Sequence, residues 1–169
     1  IDEVLNIGQC PMCHEHTHFN PTNIKKFFTE SKMPWYYNKH QTDGNDYSFF
    51  SHRLCYDNEV TTYDHVWEKV VPIINKINPS KLIRAKANLI INRGVAEYCN
   101  YHIDSKEKHM VAVYYITTSN GFTSLGEDDK IKIKCEENKL LVFDGKIPHS
   151  VVSQTDNDQR IVININYLK

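Results

Sequence analysis

Two stretches before Asn78 carry apolar residues at three- and four-residue intervals, and from Lys81 onward the pattern changes to short runs rich in Val, Ile and Tyr, so the chain reads as two helices followed by strands. Pro21-Thr22-Asn23 reads as a helix start, and Ile24, Phe27 and Phe28 give it an apolar face that runs to about Ser31. Met33-Pro34 ends that helix, because the residue before a proline is pushed out of helical conformation. Trp35-Tyr36-Tyr37 is an aromatic stretch, a strand or part of a substrate wall, and is read here as core packing. The segment Asn38–Asn58 is polar, with a turn at Asp43-Gly44-Asn45-Asp46. A second helix begins near Thr62-Tyr63-Asp64 with Thr or Asp as its cap. Its stripe is Tyr63, Val66, Val70, Ile73, Ile74 and Ile77, and Pro72 predicts a kink or a division. Asn78-Pro79-Ser80 closes the segment.

Seven strands are predicted beyond it: Leu82–Ile91, Cys99–Asp104, Met110–Thr117, Ile131–Cys135, Lys139–Phe143, His149–Val152 and Arg160–Tyr167. Turn signals separate them at Asn92-Arg93-Gly94, Asn120-Gly121, Glu136-Glu137-Asn138, Asp144-Gly145 and Asp156-Asn157-Asp158. Short strands at this spacing predict a mainly β fold, a sandwich or barrel, with the helices as outside braces. In the last strand Ile161, Ile163 and Ile165 alternate with Arg160, Val162, Asn164 and Asn166. If the isoleucines lie under the helices, Arg160 and Asn164 point into the barrel and need a polar partner such as a dicarboxylate. The alternative puts the isoleucines inside and Arg160 in solvent.

Composition changes this picture little. At 169 residues the length fits one domain over 1–169, with helical support over about 20–80 and a β core over about 81–168. Hydrophobic residues at 40% and charged residues at 24% describe an ordinary globular chain. A net charge of −1 gives no electrostatic case for nucleic acid or an anionic membrane, and the oligomeric state stays open. Five cysteines with scattered spacing argue for reduced thiols, and the start of the chain lacks a signal-peptide pattern. A cytoplasmic location is the expectation.

The candidate chemistry centres on Tyr101-His102-Ile103-Asp104. In a strand, His102 and Asp104 share one face. With His149 as a third ligand they make two imidazoles and one carboxylate, the facial set of non-haem Fe(II) oxygenases. Arg160 offers a planar fork suited to a carboxylate. Other clusters are set aside. Cys10-Pro-Met-Cys13-His14, with His16 and His18, has the spacing of a haem or zinc motif but reads as an early strand with incidental side chains. His40, His52 and His65 have no partner two residues on and read as solvated or capping. Asp144 belongs to a turn, and His109 to a Lys-rich loop.

These residues carry a family resemblance. Tyr98-Cys-Asn-Tyr-His-Ile-Asp104, Val113-Tyr-Tyr-Ile116, Asn120-Gly-Phe-Thr123, Asn138–Phe143, Pro148-His149 and Arg160–Tyr167 resemble the 2-oxoglutarate/Fe(II)-dependent oxygenases. They are most similar to the prolyl 4-hydroxylase-like branch found widely in marine phages and metagenomes. Met33–Tyr37 and Lys81–Asn88 extend the likeness toward the N-terminus. The resemblance implies a double-stranded β-helix, the jelly roll also seen in cupins, with Fe(II) held by His102, Asp104 and His149. It implies 2-oxoglutarate and O2 as cosubstrates and, if the gene is phage-borne, a host cytoplasm as the location. Arg160 would take the C5 carboxylate, with Tyr115 on the same group, and Asn88, Tyr98 and Asn164 as further contacts. Val162 departs from relatives that carry Ser or Thr two residues after the Arg, which shifts weight onto Tyr115. The implied reaction is hydroxylation of a peptidyl proline or another amino-acid-like substrate, so the implied partner is a small-molecule or peptide substrate. Loops Trp35–Asn58 and Asn92–Asn100 would choose that substrate. A non-catalytic jelly-roll or cupin-like binding module, including a virion structural protein, is the alternative. An oxygenase of nucleobases is disfavoured by the charge balance and by the lack of a basic, aromatic groove signature in the sequence.

Overall fold

The computed structural model describes residues 3–6 (backbone only), 20–30, 33–40, 47–127 and 130–169. The Cys10–His18 cluster and the turn at residues 43–46 lie outside the described residues. The elements are β1 (Glu3–Asn6), α1 (Pro21–Glu30), β2 (Tyr36–Asn38), β3 (Phe49–Tyr56), β4 (Glu59–Val60), α2 (Asp64–Ile77) and β5 (Lys81–Ile91). They continue as β6 (Met110–Tyr115), β7 (Ser119–Leu125), β8 (Ile131–Cys135), β9 (Lys139–Asp144), β10 (His149–Val152) and β11 (Gln159–Leu168). A large antiparallel sheet runs β1-β9-β6-β11-β5-β3-β2, with β4 on β3, and a small sheet runs β10-β7-β8.

Two hydrophobic layers follow from the strand alternation. Ile161, Ile163 and Ile165 of β11 and Ala85 and Ala87 of β5 pack beneath Ile24 and Phe28 of α1 and Val66, Val70 and Ile73 of α2. The helices therefore brace the outer face of the large sheet, as the isoleucine register predicts. Burying each such isoleucine contributes about 1.5–3 kcal/mol. Between the sheets lie Val113, Tyr115, Leu125, Leu141, Phe143 and Val162. Lys25 of α1 also pairs with Glu137, in the turn before β9, at 2.7 Å.

Several expectations need correction. Asn38–Asn58 is not a polar loop, because it contains β3, whose Leu54 and Cys55 are fully buried. Asp57 and Asn58, both at positive φ (48° and 64°), make the two-residue turn into β4. Trp35 packs on the core, but Tyr36 and Tyr37 are exposed on β2. Tyr63 is exposed and is the N-cap of α2 without a side-chain hydrogen bond, and Thr62 instead bonds His52. His52 is accordingly buried rather than solvated. Pro72 lies within α2, which runs unbroken to the left-handed Asn78. Asn120-Gly121 is inside β7, not a turn. A Cβ at Gly121 would stand 2.8 Å from the Val152 carbonyl oxygen and 3.2 Å from Arg160 Cδ, so the glycine is there for close approach. His109 is buried against Gly145.

The segment Cys99–Asp104 is not a continuous strand. It touches β10 through single bridges at Tyr98–Val152 and His102–His149, and then bends away. The bend has a cause: the Asp104 carboxylate crosses to the large sheet, where Arg84, Asn164 and Asn166 hold it.

Candidate metal centre

His102 and His149 are locked by two reciprocal backbone hydrogen bonds of 3.0 and 2.9 Å, which place their rings 4.5 Å apart between centroids. Each Nδ1 faces a backbone carbonyl, that of Asn100 at 3.0 Å for His102 and that of Ile147 at 3.3 Å for His149. A carbonyl can only accept, so Nδ1 donates in both rings, and the lone pair of the neutral tautomer lies on Nε2. The two Nε2 atoms lie 3.8 and 4.0 Å from the two oxygens of Asp104. Ligand atoms of all three residues fall within 4.8 Å of one another, the sole such group of three or more among the described residues.

The electrostatics favour the ligating protonation states. Burial works to raise the Asp104 carboxyl, but Arg84 and then His149 oppose it and hold it at about 2. Arg84 Nη2 reaches Oδ1 at 3.0 Å, and Oδ2 accepts from Asn166 at 2.7 Å and Asn164 at 3.3 Å. Burial pushes His149 down to about 4, with Asp104 opposing, so the imidazole is neutral near pH 7. A neutral imidazole and an ionised carboxylate are the forms that bind a metal.

A narrow cleft leads inward from this group and is lined by Asn88, Thr123, Asn164 and Arg160 as well as the two histidines. Arg160 is 1% exposed at its inner end. Its Nη2 donates to Thr123 Oγ1 at 3.3 Å, and its guanidinium carbon stands 5.8 Å from the Tyr115 ring centroid. Nε and Nη1 have no hydrogen-bond partner among the described residues. A guanidinium stays charged in proteins. A buried charge without a counterion costs several kcal/mol, so this one suits an anionic ligand.

The other predicted residues divide. Tyr115 is fully buried, donates to Thr123 at 2.8 Å and lies beside the guanidinium, so it reaches Arg160 directly and through Thr123. Asn88 lines the cleft with an unpartnered Oδ1. Asn164 also lines it, and its Nδ2 supports Asp104. Tyr98 is half exposed, edge-on to Phe122, and does not line the cleft. Asp144 accepts from the Lys146 N–H in a turn. Sequence reasoning missed Thr123, Arg84 and Asn166. The last two were within reach, because Asn166 shares the face of Arg160 and Asn164, and Arg84 pairs opposite it.

No protein-family model matches the chain. No curated protein matches it in sequence. Solved structures match it in fold. A 2OG-Fe(II) oxygenase family oxidoreductase from Burkholderia pseudomallei superposes with TM-score 0.59 at 9% identity, covering 92% of this chain and 93% of that one. A prolyl-4-hydroxylase from Pseudomonas putida gives TM-score 0.60 at 10% identity over 88% and 84%. A prolyl hydroxylase from Trichoplax adhaerens, in complex with a hypoxia inducible factor peptide fragment, gives TM-score 0.63 at 13% identity over 87% and 76%. The fold is thus the double-stranded β-helix of the 2-oxoglutarate/Fe(II) oxygenases.

Proposed function

We propose that the protein is an Fe(II)- and 2-oxoglutarate-dependent dioxygenase that hydroxylates a peptidyl proline or another amino-acid-like substrate. The observation that carries this reading is Arg160. A buried cation with two unpartnered nitrogens ends a cleft whose mouth is a His, Asp, His group. A bare metal-binding jelly roll has no need of that cation. The donor set fits Fe(II), since it offers two imidazoles and one carboxylate and leaves the cleft side open. Iron held by His102, Asp104 and His149, with 2-oxoglutarate beside it, would supply O2-dependent hydroxylation of a C–H bond and release succinate and CO2.

This chain's residues bind, orient and exclude water. Arg160 selects a dicarboxylate by a charge-assisted pair. Thr123 and Tyr115 fix the guanidinium from one side, in place of the hydroxyl that Val162 does not provide. Arg84, Asn164 and Asn166 hold the Asp104 carboxylate in one rotamer. Val113, Val162 and Val151 give the cleft apolar walls that keep water out.

Anaerobic addition of Fe(II) and 2-oxoglutarate to the purified protein tests the reading. A weak visible charge-transfer absorption should develop, and His102→Ala or Asp104→Ala should abolish it. In air, succinate should form, and a screen of prolyl peptides and free amino acids should find a substrate that accelerates it. Unchanged iron binding in both variants would sink the assignment.

A further inference from the structure

The β5 face that supplies Asn88 and Ile90 to the cleft continues past the metal ligands as Lys86 and Arg84. There it widens into an open trough of about 690 Å³ that, among the described residues, no carboxylate lines. Three cations do line it, Arg53, Arg84 and Lys86. Arg84 is committed to Asp104. Arg53 and Lys86 stand opposite each other on β3 and β5, and among the described residues neither forms an ion pair. Instead the Lys86 ammonium lies 5.2 Å from the Phe49 ring centroid and the Arg53 guanidinium 5.6 Å from that of Tyr56. Burial and the neighbouring Arg84 lower Lys86 to about 8, which marks how poorly its charge is compensated.

We propose that this trough holds an acidic segment of a peptide substrate, with one carboxylate bound between Arg53 and Lys86 while a nearby residue meets the metal. The inference rests on the dioxygenase reading and specifies its substrate. Register supports it. Lys86 pairs with Arg53 on one side and with Asn164, which bonds Asp104, on the other. Arg53 is thus two strand spacings from Asn164, roughly 10 Å. An extended peptide covers that in about three residues. The acid therefore stands about three positions from the hydroxylated residue.

Rival occupants fit less well. A small metabolite is usually enclosed by apolar walls, whereas this trough is open and mostly polar. Single-stranded nucleic acid needs a run of cations and free aromatic faces. Here only two cations are uncommitted. Tyr36 and Tyr63 already lie against His52 and His65, at 5.9 and 5.7 Å between centroids.

The test uses two synthetic nonapeptides with a central proline, one with Asp at the third position on each side of it and one with Asn there. Their affinities are measured by calorimetry on protein loaded anaerobically with Fe(II) and 2-oxoglutarate, and again on metal-free protein. The Asp peptide should bind about tenfold more tightly, the worth of one charge-assisted hydrogen bond, and the advantage should shrink with salt. Arg53→Glu and Lys86→Glu should abolish the preference, with Arg53→Gln as a milder variant and thermal melts as the check on folding. Equal binding of the two peptides to wild type, or a preference that survives charge reversal, overturns the proposal. So does tighter binding of a twelve-nucleotide oligo-dT lost in Arg53→Glu, which would make the trough a nucleic-acid site. Absence of the charge-transfer absorption in wild type would count against the dioxygenase reading alone, since the metal-free titration judges the trough by itself.

Discussion

Asn166 donates a 2.7 Å hydrogen bond to Oδ2 of Asp104, while Arg84, its cross-strand partner in the ladder, takes Oδ1 at 3.0 Å. The carboxylate is held from the large sheet although it belongs to a loop. Replacing Asn166 by Ala should leave the chain folded but lower Fe(II) affinity by about 10- to 100-fold, the usual effect of losing a partner that orients a ligand. Anaerobic Fe(II) titration against a competing chelator measures it. Wild-type affinity in Asn166→Ala would mean that Arg84 alone orients the ligand.

Arg160→Ala should weaken 2-oxoglutarate without touching iron. Truncating one member of a buried charge pair costs about 2–5 kcal/mol, a loss of roughly thirty-fold or more in affinity. Arg160→Lys should recover part of it, keeping charge but not the fork. Titrating 2-oxoglutarate into the three proteins by calorimetry decides the matter, and equal affinities would place the cosubstrate elsewhere.

Lys86 predicts a stability that rises with pH. Its folded value is about 8, below the ordinary 10.5, because burial comes first and Arg84 and Arg53 add to it, against Asp104. Between these values the unfolded chain binds more protons, so raising pH across that window favours the folded state. Below about 8 the penalty is fully present. Above the unfolded value it is gone. Urea midpoints at intervals across the window should climb in wild type and climb less in Lys86→Met.

Gly145→Ala should destabilise the fold, because the added Cβ would overlap the buried imidazole of His109. Overpacking of this kind costs about 1–3 kcal/mol. Combining it with His109→Ala should return part of the loss, and a double-mutant cycle by denaturant unfolding reads the coupling. Additive effects would show that the turn yields without meeting the ring.

The alternating isoleucines of β11 left two facings open in the sequence, and the favoured one, with the isoleucines under the helices and Arg160 turned inward, is the one the fold adopts. The sequence also pointed to His102, Asp104, His149 and Arg160 by their order and spacing, and the fold groups the first three and sets Arg160 at the inner end of the adjoining cleft. What the sequence hid has physical causes. β3 mixes buried Leu54 and Cys55 with His52 and Arg53, so its polarity resembled a loop until its partners on both sides were known. Gly121 looked like a turn because a glycine needed for close approach and one needed for chain reversal are the same letter. Asp104 was placed on a strand face with His102 by spacing alone. It reaches the same point by leaving β geometry, drawn by donors some sixty residues further on, at Asn164 and Asn166. Thr123 could not be singled out, since its importance lies in which two side chains share its oxygen.

The three ligands are unequally sheltered: the side chains of His102, Asp104 and His149 are 23%, 8% and 4% exposed. That gradient gives an incoming ion a direction of travel. An ion bound here would be approached from the His102 side, with Asp104 and His149 lying deeper. A chelator would reach the centre from the same side, past the most exposed of the three side chains. Changes at this outer histidine should therefore alter how fast the centre loads and empties more than how well the emptied chain holds its shape.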